Sequence, residues 1–387
     1  MADRNLRVLT STLTRDVTGI EHSVIRLLPH LRERGVDVVM AAPAGGGLEE
    51  AWRGLGLEFV AMPDAQRAGL RDSSGGSASA STLMSQIPRS AAWISAFRKH
   101  ALSADIIHSN SLLSHLDCVV TGRLTRTPVV LEIHDILDEG RGRTLLSAAV
   151  RSASASVAVS NAAMEQLSTR AQRKATVVPQ AVDTEVFAPG RMSVSARASL
   201  TDAPDSPLVA VIGRMDPVKA IESLIQAVSR IRASGTDLHL VVVGSSSDGN
   251  GDYGSSLRQL ADEMIPGAVR FVGQRTDVAG ILRSVDILCV PSKREPFGLI
   301  AIEAMAVGTP VVASRTGGFL DYISDGRNGL LSTPGDAADI AEKILSLIQV
   351  DAVRARIVAH ASTTVSENHE APVRAERMIE IYRKAMR

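Results

Sequence analysis

Two glutamates, Glu295 and Glu303, frame the most chemically loaded stretch of the chain, PSKREPFGLIAIEAMAVG over residues 291–308. The apolar run Ile287 to Val290 ahead of it reads as a buried strand, and Leu299 to Val307 as a helix. The first amides of a helix lack backbone partners and sit at the positive end of its dipole, so the turn Phe297-Gly298-Leu299 can cradle an anion such as a diphosphate. Two carboxylates beside an anion site suit a polyhydroxylated ligand that spans both, since ionised carboxylates accept hydrogen bonds from hydroxyls. Taken alone, a helix-end Glu295 and an exposed helical Glu303 read equally well. The almost wholly apolar helix favours the ligand, because a lone buried glutamate is costly unless it is hydrogen-bonded.

A second group is VIGRMDPVKAI over residues 211–221. A strand ends at Gly213, Asp216 can cap, Pro217 suits a first helical position, and Ile221, Leu224, Ile225 and Val228 carry the helix onward. Arg214 and Lys219 therefore flank a helix N-terminus, where the dipole disfavours cations. An anionic ligand explains both better than helix stability does.

The N-terminal half carries weaker signals. The loop from Asp16 to Gly19 follows the first strand, where open α/β sheets bind ligands, and His134-Asp135 follows another strand at the same kind of edge. A histidine there can hydrogen-bond substrate, although a lone histidine more often packs or caps. No strand-linked GxGxxG, Walker lysine loop, tight Cys/His spacing or Asp-x-Asp pair occurs, so neither a required metal nor a separate cofactor is expected.

These loops need sheets to carry them. At 387 residues the chain is long enough for two domains, and 45% hydrophobic residues with only 3% aromatics fit aliphatic α/β packing. Buried-strand runs alternate with helical periodicity from Leu6 to Val178 and again from Leu208 to Leu331, which predicts two doubly wound parallel sheets. The boundary is placed at residue 188, giving domains 1–188 and 189–370, with the amphipathic helix in 371–387 packing back on the first. One helix is expected over residues 20–34. The net charge of +0 argues against nucleic acid, which binds clustered basic charge. Cys118 and Cys289 sit in apolar runs far apart, which suits free thiols in the cytoplasm. No signal peptide or membrane-spanning run is read. The stretches 68–85 and 245–256, rich in Ser and Gly, read as surface loops or as lids over substrate.

The motifs resemble those of the retaining glycosyltransferases of family 4. EPFGLIAIE is similar to the family's Glu-x7-Glu signature, and it continues through EAMAVGTPVVASRTGG to the DG-x-x-GLL run at Asp325 to Leu331. GRMDPVKAI resembles the GR-x-x-x-x-KG segment, VVPQAVDTEVF the linker VPNGVD-x-x-F, and TGIEHSVIRLLPHLRERG the GG-x-E opening. The resemblance implies the GT-B fold, two Rossmann-like domains facing each other across a cleft. It implies a nucleotide-sugar donor, UDP-linked, and metal-independent transfer of a hexose to a hydroxyl of a small-molecule or glycan acceptor. Arg214 and Lys219 would then bind the diphosphate and Glu303 the ribose. Glu295, with Phe297, Gly298 and Leu299, would bind sugar and phosphates, while His134 would lie beside the sugar and Gly19 near the phosphates or acceptor. The chain departs from the pattern at Thr18, Gln180-Ala181, Ala220 and Asp321.

The same architecture also serves sugar phosphorylases, nucleotide-sugar epimerases and inactive sugar-nucleotide-binding modules. The acidic set Asp16, Glu21, Glu132, Asp135, Asp138 and Glu139 suits a cationic acceptor such as an aminocyclitol or amino sugar, with solvated loop charge as the plainer reading. Arg67, Arg71 and Arg89 would suit an anionic one, and Arg26, Arg32 and Arg34 a peripheral membrane contact.

Overall fold

The computed structural model describes residues 4–64, 87–246 and 252–387. The stretch 68–85, with Arg67 and Arg71, and the centre of 245–256 lie outside the described residues. The chain divides into two compact units, Met1–Ala181 with Ala371–Arg387, and Val182–Glu370.

In the first unit, the described residues form a parallel sheet of β1 (Leu6–Ser11), β2 (Val36–Pro43), β3 (Phe59–Met62), β4 (Ile106–Ser109), β5 (Val129–Ile133), β6 (Ala155–Ala158) and β7 (Ala175–Val177). The strand order is β3-β2-β1-β4-β5-β6-β7. In the second unit, β8 (Leu208–Ile212), β9 (His239–Val243), β10 (Val269–Gly273), β11 (Ile287–Val290), β12 (Val311–Ser314) and β13 (Leu330–Ser332) form another, ordered β10-β9-β8-β11-β12-β13. Every pairing in both is parallel. Helices on both faces explain why β5, β6, β11 and β12 are buried throughout and read as short apolar runs with no polar alternation. In each sheet the order reverses beside the first strand of the unit, between β1 and β4 and between β8 and β11. Loops leaving the carboxyl ends there diverge and leave a crevice.

Two expectations need correction. The helix expected over 20–34 is two, Gly19–Ile25 and Leu28–Glu33. Pro29 lacks an N–H and its ring opposes the carbonyl one turn back, so it tolerates only the first turn of a new helix. The division falls at Ala181/Val182 instead of 188. Residues after Val182 are tied to the second unit, where the side chain of Arg283 donates to the carbonyls of Val186 and Ala188. The arginines proposed for a membrane face are partly engaged: Arg26 donates to the Ala181 carbonyl and Arg34 pairs with Glu376 at 2.9 Å.

The helix Ala371–Ala385 belongs to the first unit, where Ala375, Met378, Ile379 and Tyr382 join a core cluster with Val8, Met40, Val130 and Val157. It covers a sheet face that would otherwise meet water. Both tryptophans, Trp52 and Trp93, are buried in this unit, so tryptophan fluorescence reports its unfolding alone. Met378→Ala should therefore destabilise the tryptophan-monitored urea transition by about 2–5 kcal/mol. An unchanged midpoint would show that the C-terminal helix is not part of this core.

Candidate active site

In the second unit, β8 and β11 pair directly, so the loops at their carboxyl ends run side by side. The Lys293 amide donates to the Val218 carbonyl at 2.8 Å and joins them. Asp216 caps its loop by accepting from the Val218 amide at 2.9 Å, and a 3₁₀ turn, Pro217–Lys219, follows. Lys219 Nζ then lies 2.6 Å from Glu295 Oε2, which also accepts from the Ser292 hydroxyl at 3.1 Å. Arg214 is exposed and makes no ion pair among the described residues. Beside them Lys293 Nζ and the Tyr253 hydroxyl donate to the two oxygens of Glu222 at 3.0 and 2.6 Å. Ala220, where the family pattern has glycine, is fully buried with φ +49°, a left-handed conformation that costs an L-residue roughly 1–2 kcal/mol.

The helix Leu299–Val307 starts at Gly298, whose φ is +87°. A Cβ added at Gly298 would stand 2.2 Å from the Phe319 ring. Tyr322 fixes the turn from below, its hydroxyl donating to the carbonyls of Phe297 and Gly298 at 3.0 and 3.1 Å. From the next strand end, the Gly318 amide donates to the Glu295 carbonyl at 2.9 Å. The backbones press so closely that a Cβ on Gly317 would lie 1.9 Å from the Glu295 oxygen, and one on Gly318 2.3 Å from the Pro296 oxygen. The Thr316-Gly317-Gly318 turn therefore holds the Glu295 loop by close approach. Glu303 is buried one turn into the helix. Phe297 faces inward against Tyr322 and His369, with ring centroids 5.1 and 5.8 Å away, so only its backbone is placed to meet a ligand.

In the first unit, Asp16, Thr18 and Gly19 are exposed at the carboxyl end of β1. Glu21 is buried there, its carboxylate accepting from the Thr12 hydroxyl at 2.8 Å and from the amide and hydroxyl of Thr18. Thr18, a departure from the family pattern, thus builds the start of its helix, and Glu21 leaves the acidic acceptor set.

Glu132 leaves it too. It is 3% exposed and accepts from the guanidinium of Arg374 on the C-terminal helix. Glu132 Oε2 lies 3.2 Å from His108 Nε2, and Oε1 lies 3.3 Å from both His134 Nε2 and Gln180 Nε2. Burial alone would raise the Glu132 carboxyl pKa, but Arg374, His134 and His108 overturn that and hold it well below the usual range. A carboxylate neutralised in this way does not recruit a cationic acceptor. Burial lowers the pKa of His134; Glu132 opposes this and Arg374 reinforces it. Burial likewise lowers His115 to about 3, with His134 and His108 adding to the effect. Asp135 and Asp138 are half-buried, and Glu139 is exposed.

Arg374, His108, Tyr382 and Gln180 were not singled out from the sequence as site residues. Arg374 offered one signal: it occupies an inward position of the helical stripe with Ala371, Ala375 and Met378, where an unpaired cation does not belong. Among the described residues no group of His, Cys, Asp and Glu is arranged to hold a metal ion, and no helix is long and apolar enough to cross a membrane. Cys118 and Cys289 are buried and unbridged.

The family model for glycosyl transferases group 1 matches residues 195–363, and that for glycosyltransferase family 4 matches residues 17–186. A D-inositol 3-phosphate glycosyltransferase of Stackebrandtia nassauensis is 40% identical over 196 residues, 49% of this chain and 44% of that protein. One of Mycobacterium marinum is 37% identical over 201 residues, 50% of this chain and 42% of that protein. The chain's match thus spans less than half the length of either relative. Among solved structures, HepE of Anabaena in complex with UDP and glucose has a TM-score of 0.81 at 23% identity, covering 97% of this chain and 99% of that one. The sucrose-phosphate synthase of Thermosynechococcus elongatus has a TM-score of 0.76 at 23% identity, covering 98% and 99%. At these identities the likeness is one of fold, the GT-B arrangement.

Gly317→Ala combines a φ of +54° with the 1.9 Å approach, so it should cost at least about 2 kcal/mol and weaken binding of nucleoside diphosphates. Gly326→Ala, at φ +74° with open space around it, should cost only about 1 kcal/mol and leave that binding unchanged. Equal losses in calorimetry would contradict the close-approach account. A second expectation concerns pH. His115 and His134 have folded pKa values below the unfolded value of 6.5, so the unfolded chain binds more protons. Their contribution to stability is full above about pH 6.5 and falls as pH drops below it, for His115 down to about pH 3, by at most ~1.4 kcal/mol per pH unit for each histidine. Tryptophan-monitored urea unfolding at pH 7.5 and 5.5 should show the loss, and a flat response would contradict it.

Proposed function

The chain belongs to glycosyltransferase family 4 and has the GT-B fold, and on that premise we propose that it moves a hexose from a nucleoside-diphosphate sugar, a UDP-sugar, to a hydroxyl of a small-molecule or glycan acceptor, with retention and without a metal. The observation that carries this reading is the Lys219–Glu295 pair beside Arg214, on two adjacent strand-end loops that lead to the helix beginning at Leu299. A diphosphate placed there meets two cations and unpaired helix amides, and charge developing on it as the glycosidic bond breaks is stabilised by groups already in position.

Lys219 has a double role in this reading. In the free enzyme Glu295 accepts from it; with donor bound, the phosphates share the ammonium while Glu295 turns its remaining acceptor capacity to sugar hydroxyls. Glu303, one turn into the same helix, takes the ribose hydroxyls. The leaving diphosphate itself draws the proton from the acceptor hydroxyl on the face where the new bond forms, so retention requires no enzyme nucleophile. In the first unit Asp16 and Asp135 are read as acceptor-facing and His134 as lying beside the transferred sugar. The curated relatives are named for an inositol phosphate acceptor. For this chain Asp16 and Asp135 favour an acceptor bearing hydroxyl and amino groups.

Purified protein incubated with several nucleotide sugars and candidate acceptors should give a glycoside by mass spectrometry, unchanged by a metal chelator. Arg214→Ala and Lys219→Ala should each lower kcat/KM by roughly 10²–10³-fold. Wild-type rates in both variants, or a sugar phosphate or isomerised donor as sole product, would overturn the reading.

A further inference from the structure

The polar groups under β4 and β5 of the first unit specify one protonation pattern. Glu132 Oε1 and Oε2 face His134 Nε2 and His108 Nε2 at 3.3 and 3.2 Å, so an ionised Glu132 favours a proton on each of these nitrogens. The opposite nitrogens face donors: the Tyr382 hydroxyl lies 2.9 Å from His108 Nδ1, and Gln180 Nε2 lies 3.2 Å from His134 Nδ1. The Gln180 amide is oriented by the same logic, since its nitrogen also lies 3.3 Å from Glu132 Oε1, where its oxygen would oppose a carboxylate. Arg374 supplies the single balancing charge and is anchored by donating to the carbonyls of Val178 and Pro179.

We propose that Gln180, Glu132 and Arg374 are positioning residues that lock His134 as the neutral tautomer with its proton on Nε2, and that the C-terminal helix takes part in catalysis by supplying the cation on which this lock depends. His134 Nδ1 then accepts from Gln180, and Nε2 is buried 3.3 Å from Glu132 Oε1 without a hydrogen bond of good geometry, so His134 transfers no proton and instead presents a fixed ring edge and backbone to the sugar. The role in transfer rests on the reading of His134 as part of the sugar site; the tautomer does not. The charged and titratable groups around His134 are Glu132 and Asp135 from its own segment, His108 from β4, His115 from the helix His115–Thr125, and Arg374 with Tyr382 from the last helix. The one cation among them pairs with the one buried carboxylate.

Gln180 stands where the family pattern has asparagine, and the longer side chain reaches both partners at once. Replacing it with glutamate would put a second carboxylate against Nδ1 and draw a proton onto that nitrogen.

The test is long-range ¹H–¹⁵N correlation on the full-length protein labelled in histidine, read against pH, alongside sugar-transfer kinetics. His108 and His134 should both show the Nε2–H tautomer, and His134 should stay neutral from pH 8 to 5.5. Gln180→Glu should convert His134 to the doubly protonated form at pH 7 and lower kcat roughly ten- to hundredfold with donor KM unchanged. Tyr382→Phe should alter the His108 signals and leave those of His134. An Nδ1–H tautomer, or titration near pH 6.5, for His134 in the unaltered protein would overturn the proposal whatever the kinetics. The expected spectra with full transfer by Gln180→Glu would reduce the network to a structural one. Full transfer by His134→Ala would instead remove His134 from the sugar site while the tautomer result stood.

Discussion

No Cβ fits at Gly317 or Gly318 against the backbone of Glu295 and Pro296, and the proposed donor site follows from that constraint. The Gly317 Cα lies so close to the Glu295 carbonyl that a methyl group would overlap it, and the Gly318 amide donates to the same oxygen. The loop is thereby fixed in front of its helix, with Glu295 held within 2.6 Å of Lys219 from the neighbouring strand end. Tyr322 and Phe319 hold the turn at Gly298 from the opposite side. Catalysis by preorganised charge needs this rigidity, because donors that must reorganise as the bond breaks stabilise the transition state less.

The two units handle charge in opposite ways. In the second, Arg214 is exposed and Lys219 is partly exposed, and the electrostatics remain open to an anionic ligand. In the first, Glu132 and Arg374 neutralise each other in the interior, with His108, His134 and Gln180 arranged around them. Such a buried pair adds little stability over a well-packed apolar replacement, yet removing one partner is costly. Its physical effect is to specify orientation, here of the histidine at the carboxyl end of β5.

The alternation of apolar runs with helical periodicity was enough to read two parallel α/β sheets, because strands buried on both faces are mostly aliphatic and carry only isolated polar residues such as Glu132 in β5. Pro29 splitting a helix, and Arg283 drawing residues 186–188 into the second unit, were less readable, since each depends on a local steric conflict or on a partner distant in sequence. The residues proposed for the donor lie in two short segments, each next to a strand end, which is why the sequence alone suggests that they meet. The acidic set of the first unit misled: Glu21 and Glu132 look like solvated or ligand-facing charges until Thr12, Thr18 and Arg374 are brought to them by the fold. Arg374 is separated from Glu132 by most of the chain, and only its inward place in an apolar stripe hinted at a buried partner.

The central claim is that affinity for the donor resides chiefly in its diphosphate. Calorimetric titration of the full-length protein with uridine, uridine monophosphate and uridine diphosphate, at low and high salt, addresses it directly. Two charge-assisted contacts plus helix amides predict that the diphosphate binds on the order of a hundredfold more tightly than the nucleoside, with the advantage shrinking as salt rises. Equal affinities for uridine and uridine diphosphate, at either salt concentration, would contradict it.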